Sequence, residues 1–337
     1  MCPPKVLALR LEASGQPVLN PRAFVCARRL LEIFMTPLNV AKKAYNHCRY
    51  AGNNGDVWKH VLLLEVVRQL SAQRPGSLHY VETHAGPGYA RLGENGDWRR
   101  GIGRFMDGTA EATDHPYFEL ALPTMLENRL YKGSWVLTCE LLRALSHPSF
   151  KITAHEVSAE TLKMAGSAIK KGNLSPWVSL RPKSGYDALQ KLEGADLIFI
   201  DPPYRSSDGT ADDWDKVFHA AKRAMDLKTR WIVWYPVFRR DEPDELIRAS
   251  GGVSFEFSWA PEAPGWVMKG CGMLMDQESA DALRYQPGML AQLAAALGGT
   301  HSVHSAATET KPPQELTRLI EATAHLPANA DFLGKPV

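Results

Sequence analysis

An α/β chain built on a doubly wound, mostly parallel sheet is the fold class the sequence predicts, and three observations predict it. Apolar runs of strand type alternate with segments of helical composition from Leu78 to Tyr235, as βαβ units require. The strongest run, Leu197-Ile198-Phe199-Ile200, is continuous rather than alternating, which reads as a parallel strand buried on both faces. Two of the runs stop at corners of unusual composition, His84-Ala85-Gly86-Pro87-Gly88 and Asp201-Pro202-Pro203-Tyr204. Open α/β sheets place their ligand crevice at such carboxyl ends of strands.

Composition sets the outer bounds. With 337 residues, 45% of them hydrophobic and 23% charged, the chain can bury a full core as one large domain with an insertion. No apolar run approaches the roughly 20 residues that cross a bilayer. Five scattered cysteines (Cys2, Cys26, Cys48, Cys139, Cys271) form no CxxC pair, which argues against a disulfide framework or zinc site and fits a reducing compartment. A net charge of +2 announces no nucleic-acid partner, but residues 1–60 hold nine Lys/Arg against three acids. That local surplus is compatible with phosphate contacts, and equally with a solvated basic face.

In chain order, residues 1–44 form an N-terminal extension without the long apolar centre of a secretory signal. It reads as a transit-like or loose basic arm, or as sequence upstream of a start at Met35. The Gly52-Asn53 turn leads into a helix that starts near Asn54, with Asp56 in its first turn, and runs to about Gln69. The first strand is Leu78–Thr83, and its small-residue turn would let a ligand approach the backbone closely. The next strand, Lys151–Val157, is too far away for one crossover connection. The intervening Phe118–Arg129 and Trp135–Leu145 have helical composition, so an inserted helical subdomain is expected at about 89–132. A helix capped by Ser158 ends at Gly172, and a third strand, Trp177–Pro182, precedes Ser184-Gly185-Tyr186. After the Asp201 strand come a helix (Val217–Met225), a strand (Trp231–Pro236), and an antiparallel pair at Val253–Trp259 and Cys271–Met275. One more helix, Pro287–Leu297, closes a domain of residues 45–297, and 298–337 read as a polar tail.

The acidic corner has its own chemistry. Two prolines after Asp201 fix φ and remove ladder donors, giving a rigid, non-helical tip. A carboxylate and a backbone carbonyl there could accept the two N–H bonds of an exocyclic amine, draw its lone pair out of the ring and aim it at an electrophilic methyl. Tyr204 would stack on the base. The competing reading is a plain surface turn after a core strand. Glu156, at the second strand's tip, reads as an acid for a ribose hydroxyl pair or as a solvated acid opening a helix. His60 in an amphipathic helix reads as packed or solvated; His84, beside the glycine turn, is the better ligand candidate. His47 is open between a base contact and a surface residue; the tryptophans read as core and interface mass rather than stacking platforms, and the cysteines as bystanders.

Taken together and in order, Tyr45…His47…Ala51-Gly52-Asn53…Asp56-Val57…Lys59-His60, Thr83-His84-Ala85-Gly86, Tyr131-Lys132-Gly133-Ser134, Asp201-Pro202-Pro203-Tyr204, Trp234-Tyr235-Pro236-Val237 and Gly270-Cys271-Gly272-Met273 resemble the RlmJ family. These are bacterial 23S rRNA adenine-N6 methyltransferases that use S-adenosylmethionine. The resemblance spans roughly residues 45–297 and implies a Rossmann-like class I methyltransferase sheet, mostly parallel with an antiparallel last strand. It implies Asp201 as the catalytic acceptor, acting with Pro202 and Tyr204, and Tyr45, His47 and Tyr204 as substrate contacts. Lys59, His60, His84, Gly86, Ser134, Glu156, Ser184, Gly185 and Asp201 are the implied cofactor contacts. The chain departs from the family pattern at Ser184-Gly185, where Asp-Gly is usual, and at Asn46, where an arginine is usual.

Two other readings compete: N6 methylation of adenine in DNA, which shares the Asp-Pro-Pro-Tyr corner, and a catalytically silent RNA-binding relic. A protein-amide methyltransferase would carry asparagine where Asp201 stands. The expected partner is 23S rRNA, naked or in a pre-ribosomal particle. No membrane and no metal are expected; the enzyme is expected to be a cytoplasmic monomer.

Overall fold

In a computed structural model, residues 47–111, 114–204, 212–238, 240–259 and 268–306 are described. A four-residue helix α1 (His47–Tyr50) precedes α2 (Asn54–Gln73), which is capped by Asn53. The parallel part of the molecule comprises β1 (Leu78–Glu82), β4 (Phe150–Glu156), β5 (Val178–Pro182), β6 (Leu197–Ile200) and β7 (Arg230–Val237). Helices α5 (Ser134–Ala144), α6 (Ala159–Lys171), α7 (Gly185–Gln190) and α8 (Asp212–Asp226) connect them. After α9 (Asp241–Ser250) come β8 (Val253–Trp259), β9 (Gly270–Met275), α10 (Gln277–Arg284), α11 (Pro287–Ala296) and β10 (Gly299–Ser305).

Eight strands make one sheet in the order β10-β8-β9-β7-β6-β1-β4-β5. From β7 to β5 all pairings are parallel, and from β7 to β10 all are antiparallel. The doubly wound, mostly parallel prediction is therefore correct. Its antiparallel end has three strands, however, because β10 pairs with β8 over seven residues, Gly299↔Trp259 to Ser305↔Val253. Gly299–Ser305, expected to belong to a polar tail, are therefore part of the sheet, and 307–337 lie outside the described residues. A strand with one apolar residue, Val303, can still form where backbone pairing alone extends a sheet.

The insertion is also less purely helical than expected. Its two ends, β2 (Tyr89–Arg91) and β3 (Leu130–Lys132), pair antiparallel. That ribbon carries a 3-10 turn at Asp97–Arg100, α3 (Gly103–Met106) and α4 (Pro116–Asn128). Helices α7, α9 and α10 are not anticipated by the sequence reading; α9 and α10 are short and polar on one side, and α7 has only six residues.

Alternation along the central strands builds two apolar layers. Leu78, Tyr80, Leu197, Phe199 and Ile232 enter one, and Val81, Ile198, Ile200, Val233 and Tyr235 the other. Leu197–Ile200 are all 0% exposed, so the continuous apolar run does mark a strand covered on both faces. Burial of each such side chain is worth roughly 1.5–3 kcal/mol relative to exposure. Helix α2 is buried along nearly its whole length and packs on α4, α5, β9 and α10, which explains its near-continuous apolar sequence from Val61 to Val67. No helix among the described residues is long and apolar enough to cross a membrane.

Candidate active site

The carboxyl ends of β1, β4, β5 and β6 are laced together by backbone bonds. Thr83 N–H donates to Phe199 O at 3.0 Å and Ala85 N–H to His155 O at 2.8 Å. Asp201 follows β6 directly, and Lys59, on the second turn of α2, donates to Asp201 Oδ2 at 2.8 Å. The same ammonium is 2.8 Å from Asp56 Oδ1. Gly52 N–H donates to Asp56 Oδ2 at 2.9 Å, so the Gly-Asn turn and the first turn of α2 orient the lysine. These three side chains are nearly buried, at 11–15% exposure.

Electrostatics separates the two acids. Burial alone would pull the Lys59 pKa down, but Asp201 and Asp56 outweigh it and hold the ammonium well above its ordinary range. Burial also raises both carboxyl groups. At Asp56 the Lys59 charge and hydrogen bond and the Gly52 amide reverse that effect and leave the pKa low. At Asp201 burial prevails over Lys59, and the pKa stays above the ordinary value. Asp201 is the more basic carboxylate of the triad.

Aromatic rings stand around this ion pair. The Trp234 ring centroid is 5.4 Å from Lys59 Nζ, a cation–π distance, and 5.8 Å from the Tyr204 ring. Tyr204 donates its hydroxyl to Trp234 O at 2.9 Å, and its backbone N–H donates to Pro202 O at 2.9 Å. Trp234, read from the sequence as core and interface mass, is half-buried and packs against the core, with its ring turned to the Lys59 ammonium. Its position on β7, the strand that pairs with β6, was the available signal.

A second group of expected residues gathers around the glycine turn. Gly86 and Gly88 have φ of 61° and 76°, the left-handed region that glycine enters without strain. Gly86 N–H donates to Glu156 Oε2 at 3.2 Å, while Glu156 Oε1 accepts from Val157 and Ser158 N–H, both at 2.8 Å. Gly133 N–H donates to Gly88 O at 2.7 Å, which seats Ser134 beside the turn. Ser184 caps α7, and a Cβ on Gly185 would lie 2.3 Å from Thr83 O, so only glycine lets β1 and α7 approach this closely. His84 shares a 2.8 Å hydrogen bond with Thr83 Oγ1 and lies edge-on to Tyr186, with centroids 4.8 Å apart. Burial lowers its pKa to about 4.

His60 is placed differently, inside the aromatic contact between α2 and the insertion. Its Nδ1 is 2.8 Å from the Tyr131 hydroxyl, which in turn is 3.0 Å from that of Tyr117. Burial and the neighbouring ammonium lower the imidazole pKa to about 3, so it is neutral. Tyr45 lies outside the described residues; His47 opens α1, with its side chain outside them.

The sequence reading passes over Glu82. It ends β1 at 0% exposure, with the Tyr80 hydroxyl 2.8 Å from Oε2 and the Ser134 hydroxyl hydrogen-bonded to Oε1. Burial pushes its pKa up to about 8. An acid at the end of a buried strand, directly after Tyr80 and Val81, was the visible clue.

The gathered groups fit a nucleoside-bearing cofactor. They offer glycine backbone open to close approach, a carboxylate at the tip of β4, a hydroxyl at Ser134 and a narrow seam at Gly185.

The family Ribosomal RNA large subunit methyltransferase D, RlmJ, matches residues 76–292. Ribosomal RNA large subunit methyltransferase J of Haemophilus influenzae is 29% identical over 224 residues, covering 61% of this chain and 74% of that protein. The Escherichia coli protein of the same name is 26% identical over 220 residues, covering 60% and 74%. The crystal structure of protein LPL1258 from Legionella pneumophila superposes with a TM-score of 0.61 at 20% identity, covering 76% of this chain and 98% of that one. That likeness concerns the fold.

Proposed function

The chain belongs to the family Ribosomal RNA large subunit methyltransferase D, RlmJ, and from that premise we propose that it methylates N6 of an adenine in 23S rRNA. The observation that carries the chemistry is the Asp201 carboxylate at the carboxyl end of β6, fixed at 2.8 Å by a buried lysine beside two aromatic rings. An exocyclic amine is a poor nucleophile while its lone pair is delocalised into the ring. Lys59 engages Oδ2, and so sets the direction in which Oδ1 meets an N–H of that amine. The raised basicity of Asp201 strengthens this acceptance. The Pro202 carbonyl already accepts from Tyr204 and has a second lone pair for the other N–H. Tyr204 would stack on the base, its ring held by the hydroxyl bond to Trp234 O. The target adenine has to be unstacked or single-stranded to reach this corner.

When bound, S-adenosylmethionine supplies an electrophilic methyl group. Glu156 would take its ribose hydroxyls, Gly86 and the turn would pass close to it, and Ser134, His84, Ser184-Gly185, Lys59 and His60 would complete its surroundings. The residues' main contribution is alignment, which can supply several kcal/mol of the barrier without any covalent step. Tyr45 and His47 would meet the RNA from the N-terminal side. We further propose that the enzyme is a cytoplasmic monomer that needs no metal and acts on 23S rRNA, naked or in an assembling particle. Residues 1–44 would be an extension outside the methyltransferase domain.

Purified protein given tritiated S-adenosylmethionine should label deproteinised 23S rRNA as N6-methyladenosine, and genomic DNA should stay unlabelled. Asp201→Ala should reduce the rate by about 10³-fold, the scale of removing one preorganised polar group. Label found only in DNA would overturn the assigned substrate.

A further inference from the structure

We propose that the β4–β5 end of the sheet carries a cationic cleft that binds the phosphodiester backbone of the rRNA at a distance from the target adenine. The inference rests on the rRNA methyltransferase reading above. Strand register builds the cleft. Val81, Thr153 and Ser179 form one cross-strand row, and His155 pairs with Arg181 in the row beyond it. Alternation turns both rows to the face that carries α7, where Val81 and Leu189 share a core layer. Because α7 has only six residues, it leaves the end of this face without a roof. The resulting cleft has a volume of about 390 Å³, with Val81 and Leu189 in its floor and His155, Arg181, Lys183 and Lys191 around it.

The charges explain what it would hold. Arg181, Lys183 and Lys191 are all exposed. Among the described residues, none of the three side chains makes an ion pair or hydrogen bond. Other arginines are engaged: Arg223 of α8 with the carbonyls of Leu189 and Leu192, Arg230 of β7 with Glu278, and Arg240 before α9 with Glu256. None of the residues lining the cleft is an acid. Asp196 is turned to Arg74 and the His79 N–H, and Asp187 and Glu193 are exposed on and beside α7. His155 is buried, and its imidazole is held below its ordinary range by that burial together with Lys183 and Arg181. Three unpartnered cations around an apolar floor complement a run of phosphates with a sugar or base resting between them. Lys183 lines the cleft and immediately precedes Ser184-Gly185, so the cleft adjoins the seam where Gly185 meets Thr83.

The test compares wild type with the Arg181→Ala/Lys183→Ala/Lys191→Ala protein in methyl transfer to deproteinised 23S rRNA across a salt series. Affinity for S-adenosylmethionine is measured by calorimetry on both. The KM for rRNA should rise about tenfold near physiological salt, with kcat and cofactor affinity unchanged. The slope of log affinity against log salt should shrink by about two to three, at roughly 0.7–0.9 for each phosphate no longer neutralised. Arg181→Lys/Lys183→Arg/Lys191→Arg should restore both values. An unchanged KM and salt slope, with wild type active, would overturn the cleft alone. Weakened cofactor binding would also overturn it, by making these residues part of the cofactor site. Wild type that binds the cofactor yet methylates no rRNA would overturn the functional reading and this inference with it.

Discussion

Two acids are buried on opposite sides of the parallel–antiparallel boundary of the same sheet, and they are handled in opposite ways. Glu256 on β8 is 2% exposed. It accepts from the Tyr235 hydroxyl at 2.6 Å and from Arg240 at 2.5 Å, with His304 at 3.3 Å. Burial opposes its charge, but His304, Tyr235 and Arg240 outweigh burial and hold the pKa low. Glu82 on β1 has two hydroxyl groups and, among the described residues, no cation bonded to it, and burial pushes it to about 8. A buried acid with a bonded cation is a fixed charge, whereas one with only hydroxyls for partners is protonated at neutral pH. Lys59 shows why the site uses both strategies: it compensates Asp201 and Asp56 from a single ammonium and leaves Glu82, one strand away, with hydroxyl partners.

The largest effect expected from breaking this arrangement is at that lysine. Lys59→Met would leave two carboxylates buried without their cation. It should cost about 3–5 kcal/mol of stability in urea unfolding. A loss below about 1 kcal/mol would mean that Asp56 and Asp201 are solvated rather than paired.

Next comes a pair of isosteric changes with opposite pH dependence. Glu82 has a folded pKa above its unfolded one, so its contribution to stability is fully present below about 4.5 and is lost as pH rises toward about 8. Glu82→Gln should therefore be near neutral at pH 4.5 and raise the Tm at pH 8.5, by an amount on the order of 3 kcal/mol in stability. Glu256 has the depressed pKa. Its contribution is present above about 4.5 and is lost as pH falls through the folded value, so Glu256→Gln should lower the Tm at pH 7 and matter less in acid. Melting curves from pH 4 to 9 that run parallel for the two variants would refute the contrast.

The smallest effect is at the aromatic wall. Tyr204→Phe removes one hydroxyl bond to Trp234 O, worth about 0.5–1.5 kcal/mol. It should reduce methyl transfer by no more than about tenfold. An equal loss in Tyr204→Ala and Tyr204→Phe would show that the hydroxyl, and not ring stacking, is what the reaction uses.

The same contrast explains what was legible in the sequence. The central strands and the Asp201 corner could be read because four consecutive apolar residues ending in Asp-Pro-Pro-Tyr are a local signal. The Lys59–Asp201 pair joins residues 142 positions apart, and nothing local links them. The sequence reading reaches Lys59 only through family resemblance, and passes over Glu82, whose position depends on which strands become neighbours. Strand β10 was invisible for a related reason. Gly-Thr-His-Ser-Val-His-Ser has no apolar alternation, and the strand forms because β8 offers an open row of backbone donors and acceptors.

Both outer strands of this sheet have consequences for solubility. An open edge is a template on which another copy of the chain can add a strand. At the β5 edge, Pro182 lacks the N–H that such a strand would need, and exposed Arg181 and Lys183 set like charges against an approaching copy. At the other edge, β10 presents histidine and serine side chains and one exposed valine. The cations of the cleft thus help keep the protein dispersed, so variants that neutralise them should be handled dilute and checked by light scattering before any loss of activity is assigned to RNA.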